Sequence, residues 1–199
     1  MSTPAAPAGR RERTKQANRV AILDAAREVF CDLGYGSATI RDIVRRTDLA
    51  SGTFYNYFPD KESVFRALVE EAALEARTRV RAARRAATSL DAFVHDGYLA
   101  YFEFLANDPL TFELARRNAG TVRALFEEPA LGAGIDELRE DLDGAIAAGL
   151  LGPVDTGYMA AAMVGVGFEV GVQMSERDPI DPRGAAAFAT DLFLRGLPH

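Results

Sequence analysis

The sequence predicts an all-α fold made of two helical units, a small N-terminal bundle and a larger C-terminal one. Runs of alternating Val, Ile and Thr are absent, and no Asn-Gly or Asp-Gly hairpin stands between such runs. Apolar residues instead recur at the 3.6-residue spacing of helices, and Asp-Pro, Gly and Pro residues separate the helical segments.

The composition is that of a globular chain from a reducing compartment. The 199 residues are 48% hydrophobic and 26% charged, and the single cysteine, Cys31, cannot form an intramolecular disulfide. The longest apolar run, residues 158–172, contains Glu169 and is shorter than the roughly twenty residues that span a bilayer. The first residues lack the apolar stretch of a secretory signal. We therefore expect a cytoplasmic protein without a membrane partner.

The net charge of −6 is unevenly distributed along the chain. Residues 1–58 contain nine Arg and Lys against six Asp and Glu, whereas residues 59–199 contain fourteen against twenty-three. Because binding to phosphates depends on the local field, a basic N-terminal unit on an acidic body is compatible with DNA binding.

The N-terminal elements begin with a basic segment. Residues 1–14 predict a flexible arm whose arginines can enter a minor groove, although a plain disordered tail is an equal alternative. These arginines are Arg10, Arg11 and Arg13. A first helix is expected over about 15–33, with Gly34 at its C-terminal cap. Its predicted buried face consists of Val20, Leu23, Ala26, Val29 and Phe30.

Two short helices follow. Thr39 and Asp42 have the spacing of a variant capping box, and the helix that they begin buries Ile40, Ile43 and Val44 and ends by residue 47. A three-residue turn, 48–50, leads to a helix over 51–58 that Pro59 stops. Two short helices joined in this way describe a helix-turn-helix.

The second short helix, in "SGTFYNYFPDKE", has four aromatic residues in five positions. Helical geometry places Phe54 and Phe58 within about 40° of each other, so they are expected to anchor the helix. Gly52, Thr53 and Asn56 lie on the opposite side, with Tyr55 and Tyr57 at its borders. Asn and Thr side chains reach base edges, and tyrosine hydroxyls hold phosphates, so this polar strip suits a DNA groove. A bundle that buries all four rings is the alternative.

The remaining helices belong to the larger unit. Asp60 is a good N-cap for a long helix over about 61–87, whose acidic first half and basic second half complement the helix dipole. Further helices are expected at about 90–107, 110–118, 121–126, 129–148, 156–175 and 182–195. The predicted organisation is a basic arm at 1–14, a DNA-binding domain at 15–60, and a helical domain for ligand binding and dimerisation at 61–199.

The stretch "TIRDIVRRTDLASGTFYNYFPDKESVFRALVEE" resembles the DNA-binding region of the tetracycline-repressor (TetR) family of bacterial transcription regulators. The resemblance covers about residues 19–68. The resemblance implies that three residues contact DNA phosphates: Thr39, Tyr57 and Lys61. Those that it implies face the major groove are Thr53, Tyr55 and Asn56, with Gly52 at the groove floor. Arg41 and Arg45, on the exposed side of the first short helix, are further candidates for phosphate contacts, with ordinary solvated arginines as the alternative.

Three positions depart from the family pattern. Asp48 stands where the family has a turn glycine, and its side chain tolerates a left-handed conformation at modest cost. Ala50 replaces the usual capping serine, so Ser51 is expected to cap the helix one residue later. Ser51 also occupies the position of a basic residue in the family, and it is included among the expected DNA-contacting residues.

The C-terminal domain is expected to supply dimerisation and a signal, since the resemblance implies pairing through the last two long helices and an apolar ligand pocket. The Ala-rich and Gly-rich helix over 156–175 permits close approach at a symmetric interface, although packing within the chain is an alternative. The candidate ligand-binding aromatic residues, each of which also fits a core position, are Phe93, Tyr98, Phe102, Phe112, Phe126 and Phe168.

Residues 101–126 are similar to the equivalent stretch in the FabR-type branch of the family, which implies an acyl-CoA effector. Arg116 and Arg117 would then bind its anionic end, with a surface arginine pair as the alternative. A drug-like or aromatic effector of an efflux or catabolic gene regulator is a second hypothesis.

The leading hypothesis is therefore a homodimeric repressor that binds a near-palindromic double-stranded operator and responds to an apolar small molecule. An enzyme is not expected, because no Ser/Cys–His pair with a defensible spacing, Gly-rich phosphate loop or metal cluster is recognisable. Neither a cofactor nor a metal is expected. A sequence-indifferent architectural DNA protein would carry much more positive charge.

Overall fold

The structure, a computed structural model, describes residues 9–125 and 129–196, and every regular element within these ranges is a helix. The predicted all-α fold class is confirmed. Contacts divide the chain into two compact units, with the boundary between Val69 and Glu70. The predicted domain limits at 14/15 and 60/61 stay predictions.

The helices of the first unit are α1 (Arg10–Ser37), α2 (Ile40–Arg45), α3 (Ser51–Phe54) and the start of α4 (Lys61–Ala86). Those of the second unit are the rest of α4, α5 (Leu90–Asn107), α6 (Pro109–Arg117), α7 (Ala119–Leu125), α8 (Pro129–Ala147), α9 (Thr156–Ser175) and α10 (Pro182–Leu194). Each predicted helix has an observed counterpart. In the described part of the chain, no helix has both the length and the apolar character that crossing a bilayer needs.

Helix α1 differs from its prediction at both ends. It begins at Arg10, so residues 10–14 of the expected flexible arm are helical, and the Thr14 hydroxyl donates to the Arg10 carbonyl at 3.1 Å. At the other end Gly34 has φ 76°, which breaks the helix at the predicted cap position. Val20, expected in the core, is 44% exposed, because it lies about 120° around the helix from Ala26.

The core of the first unit is built from apolar side chains of α1 to α4. Its fully buried members include Ile22, Ala26, Phe30, Ile43, Phe54 and Val64. Phe30 packs edge-to-face on Phe65 with ring centroids 5.5 Å apart. Each large apolar side chain buried in this core stabilises the unit by about 1.5–3 kcal/mol.

The second unit is organised around α5, which packs against α9 and α10. Helix starts are fixed by side-chain caps: the Asp108, Asp155 and Asp181 carboxylates accept from backbone N–H groups three residues on, at 2.9–3.0 Å. Small residues on α9 permit the close approach to α5. A Cβ atom on Gly171 would lie 2.7 Å from Leu105 Cδ1.

Ion pairs join α4 to α8 in the second unit. The Arg77 guanidinium donates from Nε and Nη2 to the two Glu137 oxygens, at 3.1 and 2.6 Å. Arg81 reaches the same carboxylate at 3.0 Å, and Arg84 lies 3.2 Å from Asp141. These basic residues in the second half of α4 are therefore engaged in intrachain pairs.

Candidate nucleic-acid interface

Helix α2 begins with the predicted capping box. The Asp42 N–H donates to Thr39 Oγ1 at 3.2 Å, and the Asp42 carboxylate accepts from the Thr39 N–H at 3.1 Å. Hydrogen bonds from Thr39 are the main reason that the pKa of Asp42 lies below its ordinary value. Thr39 is exposed, so its hydroxyl stands at the surface where the helix begins.

Helix α3 is shorter than predicted. Regular α-helix covers only Ser51–Phe54, and the chain continues as a turn in which the Asn56 N–H donates to the Thr53 carbonyl at 3.1 Å. The Phe58 N–H still donates to the Phe54 carbonyl at 3.1 Å, so the helical course continues to the residue before Pro59. The shortening reflects the small residues at its start and the proline at its end.

The aromatic residues around α3 divide as the helical wheel predicts. Phe54 is fully buried and Phe58 is 6% exposed, with ring centroids 6.2 Å apart. Tyr55 is 58% exposed. The alternative in which all four rings are buried is therefore wrong. The polar strip of Gly52, Thr53 and Asn56 is accessible, with Thr53 half-buried and the other two exposed, and Ser51 beside it is exposed as well.

Tyr57 is held more firmly than its position at the edge of the strip indicates. It is half-buried, and its hydroxyl accepts a hydrogen bond from Asn18 Nδ2 at 3.1 Å. This contact joins the end of α3 to α1 across 39 residues of sequence. The local sequence pattern does not predict this hydrogen bond, because hydrophobic periodicity indicates which face of a helix is buried and not which polar groups contact each other.

Two expectations about the turn before α3 are wrong. Among the described residues only glycines have positive φ, so Asp48 does not adopt the left-handed conformation. Ala50 occupies the N-cap position with extended backbone, and Ser51 is the first helical residue instead of the cap. Since alanine has no side-chain oxygen, α3 begins without a side-chain cap.

The arginines of α2 and its C-terminal end have different environments. Arg46 binds Glu28 at 3.3 Å and Asp32 at 2.6 Å, both on α1. Arg41 and Arg45 are exposed and make no ion pair within the described ranges. Their guanidinium groups are therefore available to an anionic partner.

An open cleft of about 940 Å³ lies between the start of α1 and the end of α3. Its lining residues are Arg10, Arg11, Glu12, Thr14, Lys15, Asn56 and Tyr57. Arg10 and Arg11, which the sequence assigned to a flexible arm, thus stand on a helix and line the same cleft as Asn56 and Tyr57. Sequence reasoning missed Lys15 because it lay beyond the predicted arm.

Lys61 is placed differently from the other predicted phosphate contacts. It is half-buried, and its ammonium donates to the carbonyl oxygens of Tyr35 at 2.7 Å, Ala38 at 2.9 Å and Gly36 at 3.4 Å. It also lies 4.5 Å from the centre of the Tyr35 ring. Its three donors are directed at backbone oxygens in this structure.

The predicted effector aromatics of the second unit pack against one another. Tyr98, Phe102 and Phe112 are buried; the first two stack at 5.8 Å, and the Tyr98 hydroxyl donates to the Met163 carbonyl at 2.9 Å. Phe168 meets Phe112 at 6.3 Å, and Phe93 lies under the Arg84 guanidinium. Phe126 lies outside the described residues. Tyr98, Phe102 and Phe112 belong to the core of the second unit, and Phe93 packs against it.

A groove of about 250 Å³ lies at the ends of α5, α6 and α9. Its lining residues are Leu105, Ala106, Pro109, Phe112, Glu113, Met174, Ser175 and Ile180. Of the predicted effector residues that the structure describes, Phe112 alone lines it. Glu113, at its edge, binds Arg116 through two hydrogen bonds of 2.9 Å and also binds Arg117. The hydrogen bond from Arg116 is the main reason that the pKa of Glu113 is lowered.

Helices α9 and α10 expose apolar side chains. Tyr158 is 80% exposed and Phe188 is 58% exposed. On the same helix as Tyr158, Ala161, Ala162 and Gly165 are exposed, and a Cβ atom on Gly165 would meet no other atom within 4 Å. The glycines of α9 therefore serve two sides: Gly167 and Gly171 pack within the chain, and Gly165 lies on an open face.

The first unit contains a helix-turn-helix whose second helix exposes a polar strip. These features are typical of DNA-binding proteins, in which the second helix enters the major groove. Residues 22–68 match the family model for bacterial regulatory proteins of the tetR family. This match identifies residues 22–68 as a helix-turn-helix DNA-binding region of the tetR type. No enzyme family is indicated.

The chain is similar to an "Uncharacterized HTH-type transcriptional regulator" of Haemophilus influenzae, with 28% identity over 137 residues that cover 67% of each protein. Among solved structures, it has the fold of the fatty acid degradation regulator FadR from Bacillus halodurans, with TM-score 0.80, 23% identity and coverage of 99% of this chain and 100% of that one. A second solved structure with this fold is that of the transcriptional regulator FadR from Bacillus subtilis in complex with stearoyl-CoA. Its TM-score is 0.79 and its identity 20%, and the match covers 90% of this chain and 99% of that one.

Proposed function

We propose that the whole chain is a TetR-family regulator, a homodimeric, effector-responsive repressor that reads a near-palindromic operator with the polar strip of α3. The observation that carries this proposal is the division of α3 into a buried face and an accessible one. Phe54 and Phe58 hold the helix against its unit, so that Thr53, Tyr55 and Asn56 are presented on a rigid element.

In this proposal the DNA contacts fall into two groups. Asn56 and Thr53 read base edges, Tyr55 borders the same groove, and the lack of a side chain at Gly52 lets the backbone approach the DNA. The groups that hold phosphates are Thr39, Arg41, Arg45, Ser51 and Tyr57. The basic cleft beside Asn56 and Tyr57 adds positive potential from Arg10, Arg11 and Lys15 to the same surface. The protein would act in the cytoplasm.

The proposed dimer forms through the exposed faces of α9 and α10. Tyr158 and Phe188 are large, exposed apolar side chains of the kind that anchor interfaces. Exposed Ala161, Ala162 and Gly165 let a second copy of α9 approach closely. A two-fold dimer explains why a near-palindromic operator is expected, with half-sites separated by roughly one turn of DNA, about 34–36 Å, or multiples of it.

The proposed effector is an apolar molecule with an anionic end, such as a fatty acyl-CoA. The groove at Leu105, Phe112 and Met174 is lined mainly by apolar side chains, and the Glu113 pairs bring Arg116 and Arg117 to its edge. Arginine pairs well with phosphate and carboxylate groups. Fatty acid degradation and stearoyl-CoA are named for two proteins of the same fold, which supports this effector class.

A second candidate effector is a drug-like or aromatic compound, which would make the protein a regulator of an efflux or catabolic gene. The aromatic rings of the second unit favour it, because Tyr98, Phe102 and Phe112 would stack on such a compound if the core opened. Unlike this uncharged compound, an effector with an anionic end would need Arg116 and Arg117 for binding.

DNase footprinting of the DNA upstream of the gene and of its neighbours tests the operator and the effector together. We expect one protected, near-palindromic segment, and we expect stearoyl-CoA to change the protection while coenzyme A alone does not. Arg116→Gln with Arg117→Gln should abolish the response to stearoyl-CoA without changing the footprint of the free protein. Release by a hydrophobic aromatic compound and not by stearoyl-CoA would favour the second effector class, and no protected segment would contradict the operator proposal.

A further inference from the structure

Tyr57 takes part in two features of the first unit, a hydrogen bond to α1 and an open cleft. Asn18 Nδ2 donates to the Tyr57 hydroxyl oxygen at 3.1 Å, and both side chains are half-buried. Tyr57 also lines the cleft of about 940 Å³ beside the start of α1. The hydroxyl is therefore held by one residue of its own unit while its side chain borders a space that a partner can enter.

The core of the first unit fixes both partners of this hydrogen bond. Asn18 lies one helical turn before Ile22, which is fully buried. The Tyr57 N–H donates to the carbonyl of Phe54 at 2.9 Å, and Phe54 is fully buried as well. The amide of Asn18 and the hydroxyl of Tyr57 are thus placed by backbone that the packed core holds in position.

The direction of this hydrogen bond constrains the hydroxyl proton of Tyr57. A phenol hydroxyl has one proton and can both donate and accept. Because an N–H of Asn18 is directed at the oxygen, the hydroxyl proton must be directed elsewhere, since two donors cannot face each other. Within residues 9–125 and 129–196 the structure gives this proton no acceptor. A hydroxyl that already accepts a hydrogen bond is also the stronger donor, because successive hydrogen bonds polarise one another.

The charges around the cleft favour an anionic acceptor for this proton. The charged residues that line the cleft are Arg10, Arg11, Lys15 and Glu12. Their sum is positive, and Lys15 lies three residues before Asn18 on the same face of α1. A DNA phosphate offers negative charge and oxygens that only accept, so it satisfies both the basic side chains and the hydroxyl proton.

We propose that Asn18 is a positioning residue: its amide donates to Tyr57 and so directs the Tyr57 hydroxyl proton at an operator phosphate. Asn18 acts through Tyr57 and does not itself contact the phosphate. The role rests on the proposed function, in which Tyr57 is one of the phosphate-binding groups. It adds a residue that precedes the stretch 19–68 on which the family resemblance depends.

Asn18→Asp separates positioning from a purely structural role. A carboxylate of the same shape can only accept, so it keeps the hydrogen bond when Tyr57 turns its proton inward, away from the DNA. We expect the melting temperature to be retained, whereas binding to duplex DNA weakens at least about tenfold, the lower end for a hydrogen bond to a charged group. Unaltered DNA affinity together with an unaltered melting temperature would overturn the proposal.

The negative charge that Asn18→Asp introduces is controlled in two ways. Gln16→Glu makes the same amide-to-carboxylate change at an exposed residue of α1, about 200° around the helix from Asn18. We expect it to weaken DNA binding much less than Asn18→Asp does. In the Tyr57→Phe background, the penalty of Asn18→Asp should fall to that of Gln16→Glu, because the hydroxyl proton is gone. Equal penalties for Asn18→Asp with and without the Tyr57 hydroxyl would contradict the proposal.

Asn18→Leu provides a second variant should Asn18→Asp fail to fold. It removes the donor, so we expect a lower melting temperature and several-fold weaker DNA binding; unaltered DNA affinity in this variant would contradict positioning by Asn18. Phosphate contacts are independent of sequence, so all these comparisons can use a scrambled duplex at about 50 mM salt. If the unaltered protein has no operator preference, the proposed function fails, and the comparisons on scrambled DNA still decide the role of Asn18.

Discussion

At the scale of single residues, neighbouring side chains on α3 serve opposite purposes. Phe54 has no exposed surface, whereas Tyr55 is 58% exposed and Asn56 is also exposed. Two side chains that are two residues apart point about 200° apart around a helix. One of them can therefore stabilise the fold while the other is exposed to contact DNA. Substitutions at Phe54 and Asn56 should therefore affect different measurements.

We predict that Phe54→Ala lowers the free energy of unfolding of the first unit by about 3–5 kcal/mol, because it empties a fully buried site. Asn56→Ala should change that free energy by less than about 0.5 kcal/mol, as is usual for exposed positions. It should weaken specific operator binding by about 1–3 kcal/mol, the value of one base contact. Urea titration and fluorescence anisotropy measure the two quantities. Unfolding of the Asn56→Ala variant would mean that the assigned faces are wrong.

A substitution at Tyr57 should affect both the stability of the first unit and operator binding. Tyr57→Phe removes the hydroxyl that accepts from Asn18 Nδ2, so we predict a loss of about 0.5–1.5 kcal/mol in unfolding free energy together with weaker operator binding. Tyr55→Phe is the matched control, because Tyr55 is exposed and removal of its hydroxyl should leave the unfolding free energy unchanged. Equal melting temperatures for Tyr57→Phe and the unaltered protein would show that the contact with Asn18 is not stabilising.

At the scale of elements, α4 is tied to α8 by charge. The Arg77 hydrogen bonds are the main reason that the pKa of Glu137 lies below its ordinary value. A carboxylate with a depressed folded-state pKa stabilises the protein above its unfolded pKa, about 4.3, and loses this contribution as the pH falls through the folded value. The pairing is therefore complete at neutral pH and absent in strong acid.

We accordingly predict that Glu137→Gln lowers the melting temperature at pH 7, and that the difference from the unaltered protein shrinks as the pH falls below about 4. Glu140→Gln, on the exposed side of the same helix, is the control and should have little effect at either pH. Calorimetry at a series of pH values gives both comparisons. A difference that stays constant with pH would mean that the Arg77 pair does not set the stability of this contact.

The elements were predictable to different degrees for physical reasons. Helices α5 and α9 have the predicted limits because Ser89 and Asp155 cap them and the apolar periodicity is long. The start of α1 was missed because Arg, Glu, Lys and Gln are strong helix formers without an apolar stripe, so periodicity is silent there. The length of α3 was missed because a four-residue helix is decided by its caps and by tertiary packing.

In the candidate site, too, local features could be predicted from the sequence, whereas contacts between distant segments could not. The faces of α3 follow from helical geometry, so the burial of Phe54 and Phe58 could be predicted from the sequence. The bond from Asn18 to Tyr57 and the three carbonyls around Lys61 could not, since they join segments 39 and 23–26 residues apart. For the aromatic rings of the second unit, the sequence left a ligand cavity and the core both open, because composition does not distinguish rings that line a space from rings that fill it.

At the scale of the whole molecule, the proposed function depends on a dimer that presents two copies of α3 to one operator. We predict that Phe188→Glu produces a monomer that retains its helical content, because Phe188 is 58% exposed and its replacement leaves the core intact. Operator affinity should fall by at least about tenfold, because a monomer binds only one half-site. Light scattering after size exclusion measures the mass. Leu74→Glu, at another exposed apolar residue, is the control; a dimeric Phe188→Glu protein would place the interface elsewhere.

Specific recognition of DNA is the central property of the proposed regulator, and the most direct test compares affinities at one salt concentration. The protein is titrated with the DNA upstream of its own gene and neighbouring genes, and with scrambled DNA of the same length and composition, at about 150 mM salt. We predict that one upstream segment binds at least about 10³-fold more tightly than scrambled DNA, the lower end of typical specificity ratios. Equal affinities for all segments would contradict specific recognition, because electrostatic binding alone would then account for the interaction.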